Sequence, residues 1–138
     1  MKATFAALIA GLAIGVVSAP VLAHHSFAVE YDPKKPVEGK GVISKVEWTN
    51  PHMRVYVDVT EANGTVITWN LELGAVNSVL RRGWKPADLK TGSGITFKGF
   101  GGRKILTRAV ADALTLADGR SFTGASGAPD ASPAPSAR

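Results

Sequence analysis

Between positions 52 and 73 the chain alternates apolar and polar residues with a period of two, twice over, on either side of a reversal. Met53, Val55, Val57 and Val59 fall on one parity, and His52, Arg54, Tyr56 and Asp58 on the other. After Ala62-Asn63-Gly64 the pattern resumes with Ile67, Trp69, Leu71 and Leu73 on one face. A period of two is the signature of a strand with one buried side, and Asn-Gly tolerates the positive φ of a tight hairpin turn. The spacing therefore predicts antiparallel strands over His52–Glu61 and Thr65–Leu73, with Trp69 in the core.

The flanking sequence extends this frame. Val37 to Trp48 alternates with Val42, Val46 and Trp48 on the apolar parity, and Gly39 and Gly41 inside it predict a bulge or a coiled strand. Thr49-Asn50-Pro51 reads as the turn into the hairpin. Val76, Val79 and Leu80 stand at helical spacing, with Arg81 and Arg82 in the last turn and Gly83 at the C′ position. Ile95 to Phe100 and Ile105 to Leu116 read as two further strands, and Asp118-Gly119-Arg120 as a turn. Three strands, a short helix and two strands is the order of an OB-fold-like five-stranded Greek-key barrel, mainly β, occupying residues 37–123.

Both ends read differently. Met1-Lys2, the apolar run Ala3 to Val17 and the Val21-Leu22-Ala23 triplet have the form of a signal peptide over residues 1–23, with cleavage after Ala23. The run is short for a membrane span and meets Pro20, so no span is expected in the mature protein. The expected destination is the periplasm or the medium. Residues 24–36, with Asp32-Pro33 and Pro36, read as an extended arm. Residues 124–138 hold mostly Gly, Ala, Ser and Pro and are expected to be disordered. The chain has no cysteine, which excludes disulfides, thiolate metal sites and thiol nucleophiles. Its formal charge of +5 falls by one with Lys2, a balance suited to weak contacts with anionic surfaces.

All three histidines, His24, His25 and His52, bear on chemistry. Cleavage after Ala23 would make His24 the first residue. Its α-amine and ring nitrogen could then chelate a metal together, a second imidazole completing a nitrogen site that favours copper. His52 lies on the outward parity of the second strand, at the edge of the surface that OB-folds use for ligands. The leading reading is the plainer one, a polar start to the mature chain and a turn-capping histidine, with His52, Arg54 and Tyr56 as a ligand surface. The alternative is a metal site of His24, His25 and His52 with copper as the ion.

Catalysis has less to stand on. Ser26, Ser44 and Ser78 lie in no nucleophile elbow, Gly99, Gly101 and Gly102 precede no helix, and Asp58 with Glu72 is the one carboxylate pair that could face across strands. Nucleic acid is not expected either. Trp48 and Trp69 share the apolar parity, while the basic residues fall in three places: Lys34-Lys35, Arg81-Arg82 with Lys85, and Arg103-Lys104. The composite expectation is a monomeric, non-enzymatic module binding a small ligand or a periplasmic protein. An enzyme of unrecognised type is the remaining reading.

His24-His25-Ser26-Phe27, the string Val46-Glu47-Trp48-Thr49-Asn50-Pro51-His52 and Arg81-Arg82-Gly83-Trp84 together resemble a family of small exported bacterial proteins known only as domain of unknown function 6152. The resemblance runs from His24 to about Gly119. It implies a periplasmic or secreted protein of a Gram-negative bacterium, and brings no activity, ligand or catalytic residue with it.

Overall fold

The computed structural model describes residues 29–123. The expected signal peptide and cleavage site, the expected disordered tail, His24, His25 and Ser26 lie outside them. The described chain is mainly β: β1 (Tyr31–Glu47), β2 (Arg54–Thr60), β3 (Val66–Glu72), one short helix α1 (Val76–Arg81), a 3-10 turn at Pro86–Asp88, β4 (Gly94–Gly102), β5 (Arg108–Leu116) and β6 (Ser121–Thr123). The sheet order is β3-β2-β1-β4-β5-β6. β3 also pairs with β5 in parallel through Asn70–Arg108, Leu71–Ala109 and Glu72–Val110.

The hairpin forms where the alternation places it. Arg54 pairs with Glu72 and Thr60 with Val66, and Gly64 takes a φ of 84° in the turn. Met53, Val55, Val57, Leu71 and Leu73 are fully buried, joined by Ile43, Ile95, Phe97 and Leu114. Packing this apolar face supplies most of the driving force for the fold. The helix ends as its sequence demands, with Gly83 at a φ of 96° and its N–H donating to the Leu80 carbonyl.

Several expectations are corrected. β1 begins at Tyr31, so residues 31–36 of the expected arm are part of the strand, irregularly paired with β4 between Tyr31–Gly102 and Pro36–Phe100. The register with β2 breaks between Ile43 and Lys45 rather than at the glycines. That extra residue reverses the parity: Ile43 is buried and Val42 exposed, while Val46 beyond the break again packs on the core. Gly41 serves another need, since a Cβ there would lie 2.2 Å from the Asp58 carbonyl oxygen. Trp48 and Trp69 are half-buried against the core, and Leu80 is exposed. The fully buried tryptophan is Trp84, its ring 3.8 Å from that of Phe122 on the unforeseen β6. β5 starts at Arg108, because residues 103–107 form an exposed loop carrying Ile105 and Leu106.

Candidate functional site

The outward parity of β2 and β3 builds a polar face, and its charged groups converge at one end on Glu72. Register alone sets Arg54 of β2 opposite Glu72, and the parallel β3–β5 ladder brings Arg108 alongside. His52 shares the parity of Arg54 two residues earlier. Its place is fixed because Met53 exchanges backbone hydrogen bonds with Gly74 and Leu73, and Asn50 Oδ1 accepts from the N–H of Val76. Tyr31, at the start of β1, brings its hydroxyl to the same carboxylate.

Glu72 is 6% exposed, the one charged side chain buried among the described residues. Its Oε1 lies 2.8 Å from Nδ1 of His52. Its Oε2 accepts from the Tyr31 hydroxyl at 2.7 Å, from Arg54 Nη2 at 2.9 Å and from Arg108 Nη2 at 2.7 Å. Arg54 also donates to Asn70, and Arg108 pairs with Glu30 at 2.8 Å. Burial pulls Glu72 toward its neutral form, but the hydrogen bonds from Tyr31 and Arg108 and the nearby cations outweigh it and hold the carboxyl below its usual value. Burial, reinforced by the bond to Glu72, drives the Tyr31 hydroxyl far above the ordinary tyrosine range. Burial alone would lower the Arg108 guanidinium, yet the bond to Glu72 leaves it raised. Glu72 is thus an anion at neutral pH, and Nδ1 is the imidazole nitrogen that faces it. Nε2 faces away from that contact, on a side chain 46% exposed. Nε of Arg108 is buried and has no hydrogen-bond partner among the described residues.

Of the three residues expected to form the ligand surface, His52 and Arg54 join this cluster and Tyr56 does not. The Tyr56 hydroxyl donates to Glu47 at 3.1 Å, and Lys45 lies against both, 2.6 Å from Glu47 and 5.2 Å from the Tyr56 ring centroid. Asp58 faces Thr68, from which it accepts a hydrogen bond, rather than Glu72. The cross-strand carboxylate pair is therefore not formed, because the register leaves Asn70 between the two. The sequence pattern does not point to Tyr31 or Arg108, and it offers Glu72 only as a partner for Asp58. The one readable signal was Glu72 itself, a carboxylate on the outward parity opposite Arg54; Tyr31 and Arg108 arrive through pairings that alternation does not encode. His52 is the single described histidine, and no group of three or more His, Cys, Asp or Glu side chains is placed to hold a metal ion among the described residues. An open depression of about 420 Å³ between Val37, Phe100 and Asp112 shares no residue with the cluster.

A small, mainly β domain with a buried carboxylate gathering two arginines, a tyrosine and a histidine at one end of its sheet is the class that fold and site define. The chain belongs to the family of unknown function DUF6152, whose match covers residues 12–110. No curated protein and no solved structure matches it. No helix among the described residues is long and apolar enough to cross a membrane.

Proposed function

We propose that this protein is a non-enzymatic binding module that works outside the cytoplasm, built on an OB-like barrel, and that it holds a copper ion through His52. The barrel reading rests on β1 pairing with both β2 and β4, on the parallel β3–β5 ladder, and on the helix between β3 and β4. Export rests on the amino-terminal sequence and the small residues before His24.

The observation that carries the metal reading is the Glu72–His52 contact. A carboxylate on one imidazole nitrogen fixes the tautomer, orients the ring and raises the basicity of the other nitrogen, which is how proteins prepare a histidine ligand. The missing ligands are within reach. Tyr31 and His52 meet on the same carboxylate, and His25 precedes Tyr31 by six residues, a span of up to about 20 Å. His24, with its α-amine freed by cleavage after Ala23, and His25 can supply the remaining nitrogens of a copper site. A binding module suits the cluster better than an enzyme, since its titratable groups are spent on one another rather than aimed at a substrate.

The test is native mass spectrometry of the exported protein with one equivalent of Cu(II), followed by titration of His52→Ala. The expected outcome is a chain beginning at His24 that retains one copper, with affinity falling by orders of magnitude in the variant. Glu72→Gln should lower affinity about 10- to 100-fold. Equal affinity in wild type and His52→Ala would overturn the copper reading and leave a module for another ligand.

A further inference from the structure

The sequence scatters its basic pairs, but the fold brings two of them to one end. The ladder between β1 and β4 sets Tyr31 against Gly102, and the Arg103 N–H donates to the Glu30 carbonyl. The irregular stretch after Tyr31 carries Lys34 and Lys35 outward beside Gly101, with the N–H of Lys34 donating to Asp32, whose carboxylate also takes Arg103. Lys104 follows in the loop between β4 and β5. Three acidic side chains belong to this end, and all are matched: Asp32 by Arg103, Glu30 by Arg108, and Glu72 by Arg54 and Arg108. Lys34, Lys35 and Lys104 make no ion pair among the described residues, so the end is net positive.

The same end displays aliphatic side chains to solvent. Leu106 is 70% exposed, Ile105 54% and Val29 64%, the last carried beside the loop by the Glu30–Arg103 hydrogen bond. Neither Ile105 nor Leu106 belongs to the hydrophobic core. Two adjacent large aliphatics at a loop tip, on the end that also carries Lys34, Lys35 and Lys104, match a surface that is anionic outside and apolar just beneath.

We propose that the β4–β5 loop is a docking tip for an anionic phospholipid surface: Ile105 and Leu106 enter the interface, while Lys34, Lys35 and Lys104 lie against the headgroup phosphates. Shallow insertion of a loop tip leaves the sheet intact and holds the Glu72 end of the domain near the bilayer. The proposal is independent of the copper reading.

The experiment is sedimentation of the exported protein with vesicles of phosphatidylglycerol and phosphatidylcholine in equal parts, and with vesicles of phosphatidylcholine alone. Wild type should partition onto the anionic vesicles and not the neutral ones, and lose the binding as salt is raised. Ile105→Glu with Leu106→Glu should weaken partition at least about tenfold, and Lys34→Gln, Lys35→Gln and Lys104→Gln together by a similar factor. All five positions are exposed, so melting followed by circular dichroism should be unchanged in both variants. Equal binding by wild type and the double glutamate variant, equal binding to neutral vesicles, or no binding at all would each overturn the proposal. So would a concentration-dependent dimer that the double variant abolishes, which would assign the tip to a second copy of the chain.

Discussion

His52 and Glu72 meet through Nδ1 and Oε1 at 2.8 Å, a contact that leaves Nε2 as the imidazole nitrogen not turned to the carboxylate. The carboxylate that makes it is buried and also accepts from Tyr31, Arg54 and Arg108. Removing one member of such a cluster strands the rest without their counter-charge. Glu72→Ala should cost about 2–4 kcal/mol, below the full value for a wholly buried pair because Arg54 and Arg108 retain some access to water. Glu72→Gln keeps the shape and should cost less. Urea unfolding measures both, and a loss under about 1 kcal/mol in the alanine variant would show the cluster to be energetically neutral.

Tyr31 gives the cluster a dependence on alkaline pH. Burial and the Glu72 bond raise its folded value above the ordinary tyrosine value of about 10. A group raised on folding contributes stability that is complete below the unfolded value and is lost as pH climbs toward the folded one, because only the unfolded chain releases its proton there. Stability should therefore decline above about pH 10, and Tyr31→Phe should flatten that decline while lowering stability at neutral pH through the lost hydrogen bond. Urea midpoints measured from neutral to strongly alkaline pH test it; identical slopes for both proteins would contradict the assignment.

How much of this was legible follows from which interactions alternation records. The β2–β3 hairpin, its turn at Asn63-Gly64 and the helix stop at Gly83 were readable because each depends on residues within one or two turns of sequence. The inward parity of β1 was readable only beyond the break, at Val46 and Trp48; before it, the extra residue between Ile43 and Lys45 turns Ile43 inward in place of Val42 without altering composition. β6 was missed because three residues, with one aromatic among them, carry no period. Two of the site's five residues were legible, His52 and Arg54 by parity. Tyr31 and Arg108 reach Glu72 across 41 and 36 residues, by ladders whose partners no local pattern names.

The tryptophans separate packing from parity. Trp84 is 2% exposed and stacked on Phe122, whereas Trp69 is half-buried, its ring 5.5 Å from that of Phe97. Trp84→Ala should cost about 3–5 kcal/mol and detach β6 from the helix end of the domain. Trp69→Ala should cost about 2 kcal/mol, less than a full core tryptophan, because part of its ring already meets water. Denaturant unfolding of the two variants ranks them directly, and the reverse order would mean that β6 adds little to the fold.

Two glycines of opposite character supply the last contrast. At Gly41 a Cβ would stand 2.2 Å from the Asp58 carbonyl oxygen, an atom of the paired strand that cannot swing aside as a side-chain end can. Gly41→Ala must push β1 away from β2 just before the register break that buries Ile43, so the strain spreads into the core. The expected loss is about 3 kcal/mol. Gly64 has open space where its Cβ would be, but a φ of 84° that only glycine adopts freely, so Gly64→Ala should cost about 1 kcal/mol of purely local strain. The two differ in reach as well as size. Amide hydrogen exchange should quicken along β1 and β2 in the first variant and only at the hairpin tip in the second. Quickening confined to the immediate neighbours of position 41 would show that the strands yield there without cost to the core.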